Sequence, residues 1–354
     1  MIKIEIRPEW LLKDQDGSEV GLPLLLKLLA AVHEQGSISR AAYTTGLSYR
    51  HAWGLLRTFQ KQFGATLVQK VRGQGSSLSP LAEKLIWADK RIVARLSPYL
   101  DSLASELEQE LSVLLKGDRR ALRITASHGF AVDALIRQLE AENMTVDLRY
   151  LSSTEAVAAL SRGECDLAGF HLPIGEFQHA AALKYLKWLD VQQHQLIHLA
   201  NRTQGLFIAK GNPKRLQGLS DLTRKDVRFA NRQSGSGTRM LLELLLSKHK
   251  IQPADISGYG GAEYTHAAVA AYVASGMADV SFGVETAARR FDLDFIPIVR
   301  EQYFFAFQQR QLNTPLMMAA LKIMQDKGFR SKISELPGYD GTESGSVLSL
   351  DMFL

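Results

Sequence analysis

From residue 121 onward, short strand-like runs alternate with helix-like stretches, and no other feature constrains the fold as tightly. The strand-like runs are 121–127 (ALRITAS), 145–151 (TVDLRYL), 166–172 (DLAGFHL), 194–200 (HQLIHLA), 205–211 (GLFIAKG), 227–231 (VRFAN), 279–284 (DVSFGV) and 295–299 (FIPIV). Between them lie helical stretches at 131–142, 154–162, 237–249, 263–276 and 285–292. This alternation predicts an α/β domain with parallel sheets whose ligands bind beyond the carboxyl ends of the strands. Residues 120–354 are long enough for two lobes with a cleft between them. The whole chain of 354 residues is too long for one core. LKGDRR, residues 115–120, marks a boundary before this domain.

The residues just beyond each strand set the chemistry. The first run ends in Ser127-His128-Gly129 and the second in Ser152-Ser153-Thr154, while the third carries His171. The VRFAN run leads into Arg232-Gln233-Ser234-Gly235-Ser236-Gly237-Thr238-Arg239 ahead of a leucine-rich helix. Small hydroxyl and glycine residues at a helix start leave backbone N–H groups and the positive end of the helix dipole facing an anion. Each such segment is also an ordinary helix cap. Several at strand ends in one domain point to a small-anion cleft built from Ser127, His128, Ser153, Thr154, His171, Ser236, Gly237, Thr238 and Arg239. The segment lacks the GxxxxGK[ST] and GxGxxG patterns, so nucleotide hydrolysis and dinucleotide binding are not expected. There is no G-x-S-x-G elbow and no HExxH, and adjacent Ser127 and His128 do not make a nucleophile–base pair. The chain is read as a non-enzyme without a cofactor or metal site.

The first ninety residues have a different texture. Residues 2–7 alternate as a short strand, and KDQDGSEV supplies an Asp-Gly turn. Helical stretches follow at 22–35, from Ser37 to about Gly46, and from Ser48 to about Gln62. Two short helices joined by a glycine-containing turn outline a helix-turn-helix. ATLVQKV, GQGSS and LSP then read as a β-wing. The net charge of +5 is unevenly spread: residues 24–95 hold eleven Lys and Arg against three acids, a block of +8 that leaves about −3 for the rest. Such a block is the footprint of a nucleic-acid-binding module.

On a helical wheel started at Tyr49, Ala52, Leu55, Leu56, Phe59 and Phe63 fall between about 240° and 340°. Tyr49, Arg50, Trp53, Arg57, Gln60 and Lys61 fall between about 0° and 120°. One face is a core face, with Trp53 able to serve it too. The other collects groups suited to base edges and phosphates, with no acid among them. The expected DNA-reading residues are Ser37, Ser39, Arg40, Ser48, Tyr49, Arg50, Trp53, Arg57, Gln60, Lys61, Lys70 and Arg72. From Pro80 to about Lys116 runs a long helical segment. Val93, Leu96, Leu100, Leu103, Leu107, Leu111 and Leu114 form an a/d-like seam in it. Pro98 predicts a kink or two helices meeting near Ser97. A seam of this length suits a homodimer, with further pairing to tetramers left open, though packing on the same chain would also cover it. Dimers would present two winged heads to paired operator half-sites.

One cysteine, Cys165, excludes a disulfide framework and multi-cysteine metal sites. No apolar run reaches the length of a membrane span, and MIKIEIRPEW lacks the pattern of a secretion signal, so a cytoplasmic protein without a membrane partner is expected.

GSISRAAYTTGLSYRHAW (36–53) resembles the DNA-binding domain of ModE-type molybdate-responsive regulators, through Gly36-Ser37-Ile38, Ala41-Ala42, Ser48-Tyr49 and Ala52-Trp53. LysR-type regulators share the winged fold and linker helix, but not this Ser-Tyr…Trp signature. The second half is similar to the molybdate-type periplasmic-binding-protein-like domain fused to such modules. LSRGECDLAGFHL (160–172), QGLFIAKGNP (204–213), RFANRQSGSGTR (228–239) and THAAVAAYVASGMADVSFG (265–283) carry that likeness. It departs at Gly129, where an acid often follows Ser-His, and at Asn201-Arg202-Thr203, where Arg-Glu is common. The resemblance implies a one-component bacterial regulator. It would have a winged helix-turn-helix (1–85), a linker and dimerisation helix (86–116) and a two-lobed α/β effector domain (120–354). The implied effector is molybdate or tungstate, and the implied DNA partner is a double-stranded operator. The same scaffold also admits another small anion such as formate. A solute-binding component of a molybdate-type transporter is the alternative from another class.

Overall fold

The computed structural model describes residues 4–13, 17, 19–71, 75–115 and 121–353. The chain divides into two compact units, residues 7–96 and residues 97–354 with residues 4–6, and the division falls within one long helix.

The N-terminal unit opens with a two-stranded ribbon, β1 (Leu11–Lys13) against β2 (Glu19–Gly21). Residues 4–7, the described part of the alternation expected to form a strand, have no strand neighbour and stay irregular. The expected Asp-Gly turn falls largely outside the described residues. Three helices follow: α1 (Pro23–Gln35), α2 (Ile38–Thr45) and α3 (Tyr49–Phe63). Their starts are written locally, with Pro23 in the first turn of α1 and Ser37 and Ser48 capping α2 and α3 through their side chains. Leu25, Leu28, Leu29, Ala41, Ala52, Leu56 and Phe59 are fully buried in their shared core. Burying each large side chain contributes about 1.5–3 kcal/mol. The wing is β3 (Val68–Val71) paired with β4 (Gly75–Leu78). Gly75 adopts φ +92° and passes so close to the carbonyl of Gly36 that no side chain would fit, and Ser76 N donates to that same carbonyl at 2.8 Å.

Helix α4 (Pro80–Leu115) runs as one element. Pro98 therefore does not divide it into two helices, because the helical bonds on either side outweigh the single bond that proline cannot make. Of the expected boundary at 115–120, all but Leu115 at the end of α4 lies outside the described residues.

The C-terminal unit is built on one mixed nine-stranded sheet. Its elements are β5 (Leu122–Ala126), α5 (Phe130–Ala141), β6 (Val146–Tyr150), α6 (Ser153–Ser161), β7 (Leu167–Pro173), α7 (Gln178–Ala182), β8 (His194–Ile208) and β9 (Phe229–Ala230). They continue with α8 (Gly237–Lys248), α9 (His266–Ala274), β10 (Val280–Val284), α10 (Glu285–Arg290), β11 (Asp294–Gln308), α11 (Pro315–Gln325), α12 (Lys327–Ser334), β12 (Tyr339–Asp340) and β13 (Val347–Ser349). The strand order is β6-β5-β7-β11-β8-β10-β9, with β12 and β13 also on β8.

Only β6-β5-β7 and β10-β9 run parallel; β11 and β8 are antiparallel to each other and to their other neighbours. The all-parallel expectation is corrected at these two strands. The runs at 194–200 and 205–211 are one fifteen-residue strand, and the run at 295–299 is part of another that reaches Gln308. The polar residues between the first two runs do not form a loop, because Arg202 meets Glu301 directly across the ladder.

β8 and β11 thread both lobes. The first lobe packs apolar clusters from β5, β7, α5 and α11 on one face and from α6 and α7 on the other. The second packs α8 on one face of β10 and β8, and α9 with α10 on the other. The two lobes meet where α6 and α8 begin, at His171 of β7.

Candidate functional site

On the N-terminal unit, Arg50, Arg57 and Lys61 of α3 and Ser39 and Arg40 of α2 are exposed. Tyr49 is about half exposed and meets Trp53 edge-on at 6.3 Å. Trp53 is half-buried against the core, as the wheel allowed. Ser48 Oγ accepts from His51 N (3.2 Å) and Ser37 Oγ from Arg40 N (3.5 Å), so both hydroxyls cap their helices. Gln60, expected to read a base, is half-buried and its Oε1 accepts from Leu67 N at 2.9 Å, where it ties α3 to the wing. Lys70 stands on β3; its side chain and the whole of Arg72 lie outside the described residues. Tyr43 on α2, which the charge and wheel reasoning passed over, is 89% exposed.

In the C-terminal unit, the hydroxyl of Ser153, first residue of α6, is 3.1 Å from Nδ1 of buried His171 on β7. Ser152 is occupied instead in a capping box with Glu155. Thr154 comes next on α6, half-buried. From the other lobe, Gly237 at the start of α8 comes so near that a Cβ on it would stand 3.1 Å from the same His171 nitrogen. Thr238 Oγ1 lies 3.5 Å from Nε2 of buried His266, whose Nδ1 accepts from Val284 N (3.4 Å) and so leaves the ring proton on Nε2. At the end of β5, His128 stacks on Tyr150 with ring centroids 3.5 Å apart, beside Ser127.

Two expected anion contacts have other work. Ser236 Oγ accepts from Arg239 N and donates to the Gln233 carbonyl. Arg239 lies over the ring of Tyr259, pairs with Glu243, and donates through Nη1 to the carbonyls of Arg232 and Tyr259, both at 3.1 Å. It positions the loop before α8 rather than pointing a free N–H into the cleft.

The charges acting on His171 and His266 come from residues the local reading did not single out. Arg202 and Glu301 form a buried ion pair across β8 and β11. Burial opposes the Arg202 charge, but Glu301 and Tyr339 hold it protonated. Arg232, just after β9, is also buried; it donates to the backbone carbonyls of Glu263 (3.2 Å) and Tyr264 (2.8 Å), and its Nη1 has no partner among the described groups. Burial, with the nearby Arg202 charge, pulls its pKa down to about 9. The same two causes, burial and the two guanidinium charges, push His171 and His266 well below the usual histidine range, so both imidazoles are neutral. Gln204 lies two residues along β8 from Arg202, fully buried, with both ends of its amide unpaired among the described residues. Local sequence carries no signal for these groups, since each matters through a partner distant in the chain.

Among the described residues no group of three or more His, Cys, Asp or Glu is arranged to hold a metal, and no helix is long and apolar enough to cross a membrane. Where the lobes meet, the described residues offer neutral and cationic hydrogen-bond donors.

Residues 136–325 match the family description "PBP superfamily domain", and residues 24–83 match "Bacterial regulatory helix-turn-helix protein, lysR family". The helix-turn-helix is thus of the lysR family. The uncharacterized protein YvgK of Bacillus subtilis is 34% identical over 232 residues, covering 65% of this chain and 75% of YvgK. The molybdenum transport protein ModE of Herbaspirillum seropedicae is 33% identical over 110 residues, covering 29% of this chain and 40% of ModE. The structure of full-length BenM aligns at 16% identity over 88% of this chain and 96% of BenM, with a TM-score of 0.42. The chain belongs to the PBP superfamily and carries, over residues 24–83, a regulatory helix-turn-helix of the lysR family.

Proposed function

We propose that the effector is a small oxyanion of the molybdate or tungstate kind, bound between the lobes, and that its binding changes affinity for an operator. The buried Arg232 carries this reading. A guanidinium removed from water with one N–H arm unpaired is costly unless an anion completes it. The starts of α6 and α8 bring two more sets of donors to the same cleft. Ser127, His128, Ser153, Thr154, Gly237 and Thr238 would line the anion, with Arg239 and Ser236 holding the loop in place. ModE, named for molybdenum transport, supports this choice of anion, as does MopB of Rhodobacter capsulatus, a molybdenum-pterin-binding protein 35% identical over 108 residues. That match spans 29% of this chain and 39% of MopB.

Ser39, Arg40, Tyr49, Arg50, Arg57 and Lys61 would contact DNA, with Trp53 supporting the helix. The exposed apolar side chains Val93, Leu96 and Leu107 on α4 support a homodimer through that helix, acting in the cytoplasm. Effector coupling of this kind changes DNA affinity by about 5- to 150-fold. The experiment is calorimetry of the full chain with molybdate, tungstate, sulfate and formate, followed by DNA binding with and without the anion that binds. The duplex would be one the protein selects from a random pool. Tight binding of molybdate and tungstate, and a shift in DNA affinity, are expected. Binding of formate in preference to both metal oxyanions would replace the effector, and no effect on DNA would remove the coupling.

A further inference from the structure

Three elements close on the imidazole of His171. Ser153 at the start of α6 sits 3.1 Å from Nδ1, and Gly237 at the start of α8 crowds the same nitrogen. Tyr303 of β11 meets the ring edge-on at 4.5 Å. Tyr185, beyond α7, hydrogen-bonds to the His171 backbone and is itself held in its protonated form by burial. Nδ1 is engaged with the Ser153 hydroxyl, whereas Nε2 is buried and has no partner among the described groups.

The charges that face this ring are few. Arg202 of β8 is matched by Glu301 of β11, Arg232 keeps an unpaired Nη1, and neutral His266 of α9 is near enough to couple with it. Glu301 acts on Arg232 as well as on Arg202, so these three charges together leave one net positive charge for a dianion. The second negative charge would be buried unmatched, which is strongly unfavourable. A neutral imidazole with a free ring nitrogen is the cheapest countercharge at hand, because its ordinary pKa lies just below neutrality.

We infer that the cleft takes up one proton together with its anion, and that Nε2 of His171 is where the proton lands. This rests on the anion-binding reading above. The step is a protonation: a solvent proton joins the Nε2 lone pair, and the N–H so formed donates to an anion oxygen. Without anion, burial and the two guanidinium charges hold His171 neutral; with it, the field on the ring reverses. Affinity for a dianion should then rise as pH falls, by up to about tenfold per pH unit between the free and bound pKa values of the ring. His171 would so favour doubly charged anions, for which a proton restores balance, over singly charged ones that Arg232 already satisfies.

The test is calorimetry of the full-length chain with sodium molybdate in two buffers of unlike ionisation enthalpy, from about pH 6 to pH 8. Expected are heats that differ between buffers by close to one proton per bound anion, and affinity that tightens toward the acid end. H171N should bind molybdate more weakly at acid pH and lose the proton uptake and the pH dependence. Binding with equal heats in both buffers would overturn the inference and leave the anion reading standing. So would uptake that survives in H171N and vanishes in H266N. No binding of molybdate at all would overturn both. If H171N does not fold, the buffer dependence of the wild-type protein decides alone.

Discussion

Gly237 and His171 belong to different lobes of the C-terminal unit, yet a Cβ on the glycine would stand 3.1 Å from the imidazole Nδ1. That approach is tighter than ordinary van der Waals contact, so the histidine must yield by a few tenths of an ångström if the glycine gains a side chain. Gly237→Ala is expected to weaken anion binding by about 1–3 kcal/mol, the usual cost of overpacking a well-filled site. Titration of the variant with molybdate measures it. Unchanged affinity would mean that the two residues separate in the bound form.

Arg57 stands exposed on the polar face of α3, away from the core residues Leu56 and Phe59. Arg57→Ala should lower operator affinity by about 1–3 kcal/mol, the worth of a bidentate base contact, without altering anion binding. Lys61→Ala should instead weaken binding to all sequences alike and flatten the salt dependence. Fluorescence anisotropy across a salt series separates the two. If Arg57→Ala holds its operator as tightly as the parent, the reading face has been misassigned.

Glu301 is the anionic half of a pair whose side chains are 3% and 1% exposed. Glu301→Gln leaves the Arg202 charge buried and unmatched, at a cost of about 3–5 kcal/mol. Replacing both, as Arg202→Met with Glu301→Leu, should recover most of that loss, because no charge is then stranded. Urea unfolding of the three proteins reports the difference. Equal stabilities for the single and double variants would show that the pair is not what holds the two strands.

Asp133, in the first turn of α5, has its carboxyl pushed by burial from an ordinary 3.8 up to about 6; Arg137 and Arg290 oppose the rise, and Asp101 of α4 adds to it. The folded form therefore binds this proton more tightly than the unfolded one. Stability contributed by the protonated acid is present at low pH and is lost as pH climbs from about 4 through about 6, with a penalty of at most about 3 kcal/mol above that. Asp133→Asn should relieve the penalty, so its urea midpoint should exceed that of the parent at pH 8 and converge on it only below about pH 4. Parallel curves across that range would count against a buried acid.

The local half of this architecture was written plainly in the chain. Ser37, Ser48 and Ser236 each precede a helix that their side chains cap, and a cap needs only its next three residues. The winged fold and the two-lobed α/β class came from periodicity and turn chemistry of that range. The features that escaped were long-range. Asn201-Arg202-Thr203 reads as a polar break between two strands because nothing nearby explains an arginine there; its partner is 99 residues away. Gln60 reads as a base-contacting side chain until the wing brings Leu67 N to it. Arg239 resembles an anion contact, while Arg232, seven residues earlier and held by its Nη1, is the one left with an unpaired arm.

The two lobes share β8 and β11, fifteen residues each, with ladder irregularities at Pro297/Val299 and Tyr303/Phe304. A joint made of paired ribbons flexes like a leaf spring, whereas a loop would swivel freely. Ribbon hydrogen bonds resist sliding and torsion, so bending is the softest motion open to the lobes, and a ligand that closed them would work against bending stiffness instead of ordering a wandering domain. Most of the ordering entropy that a loosely tethered pair would surrender on capture has already been surrendered in folding.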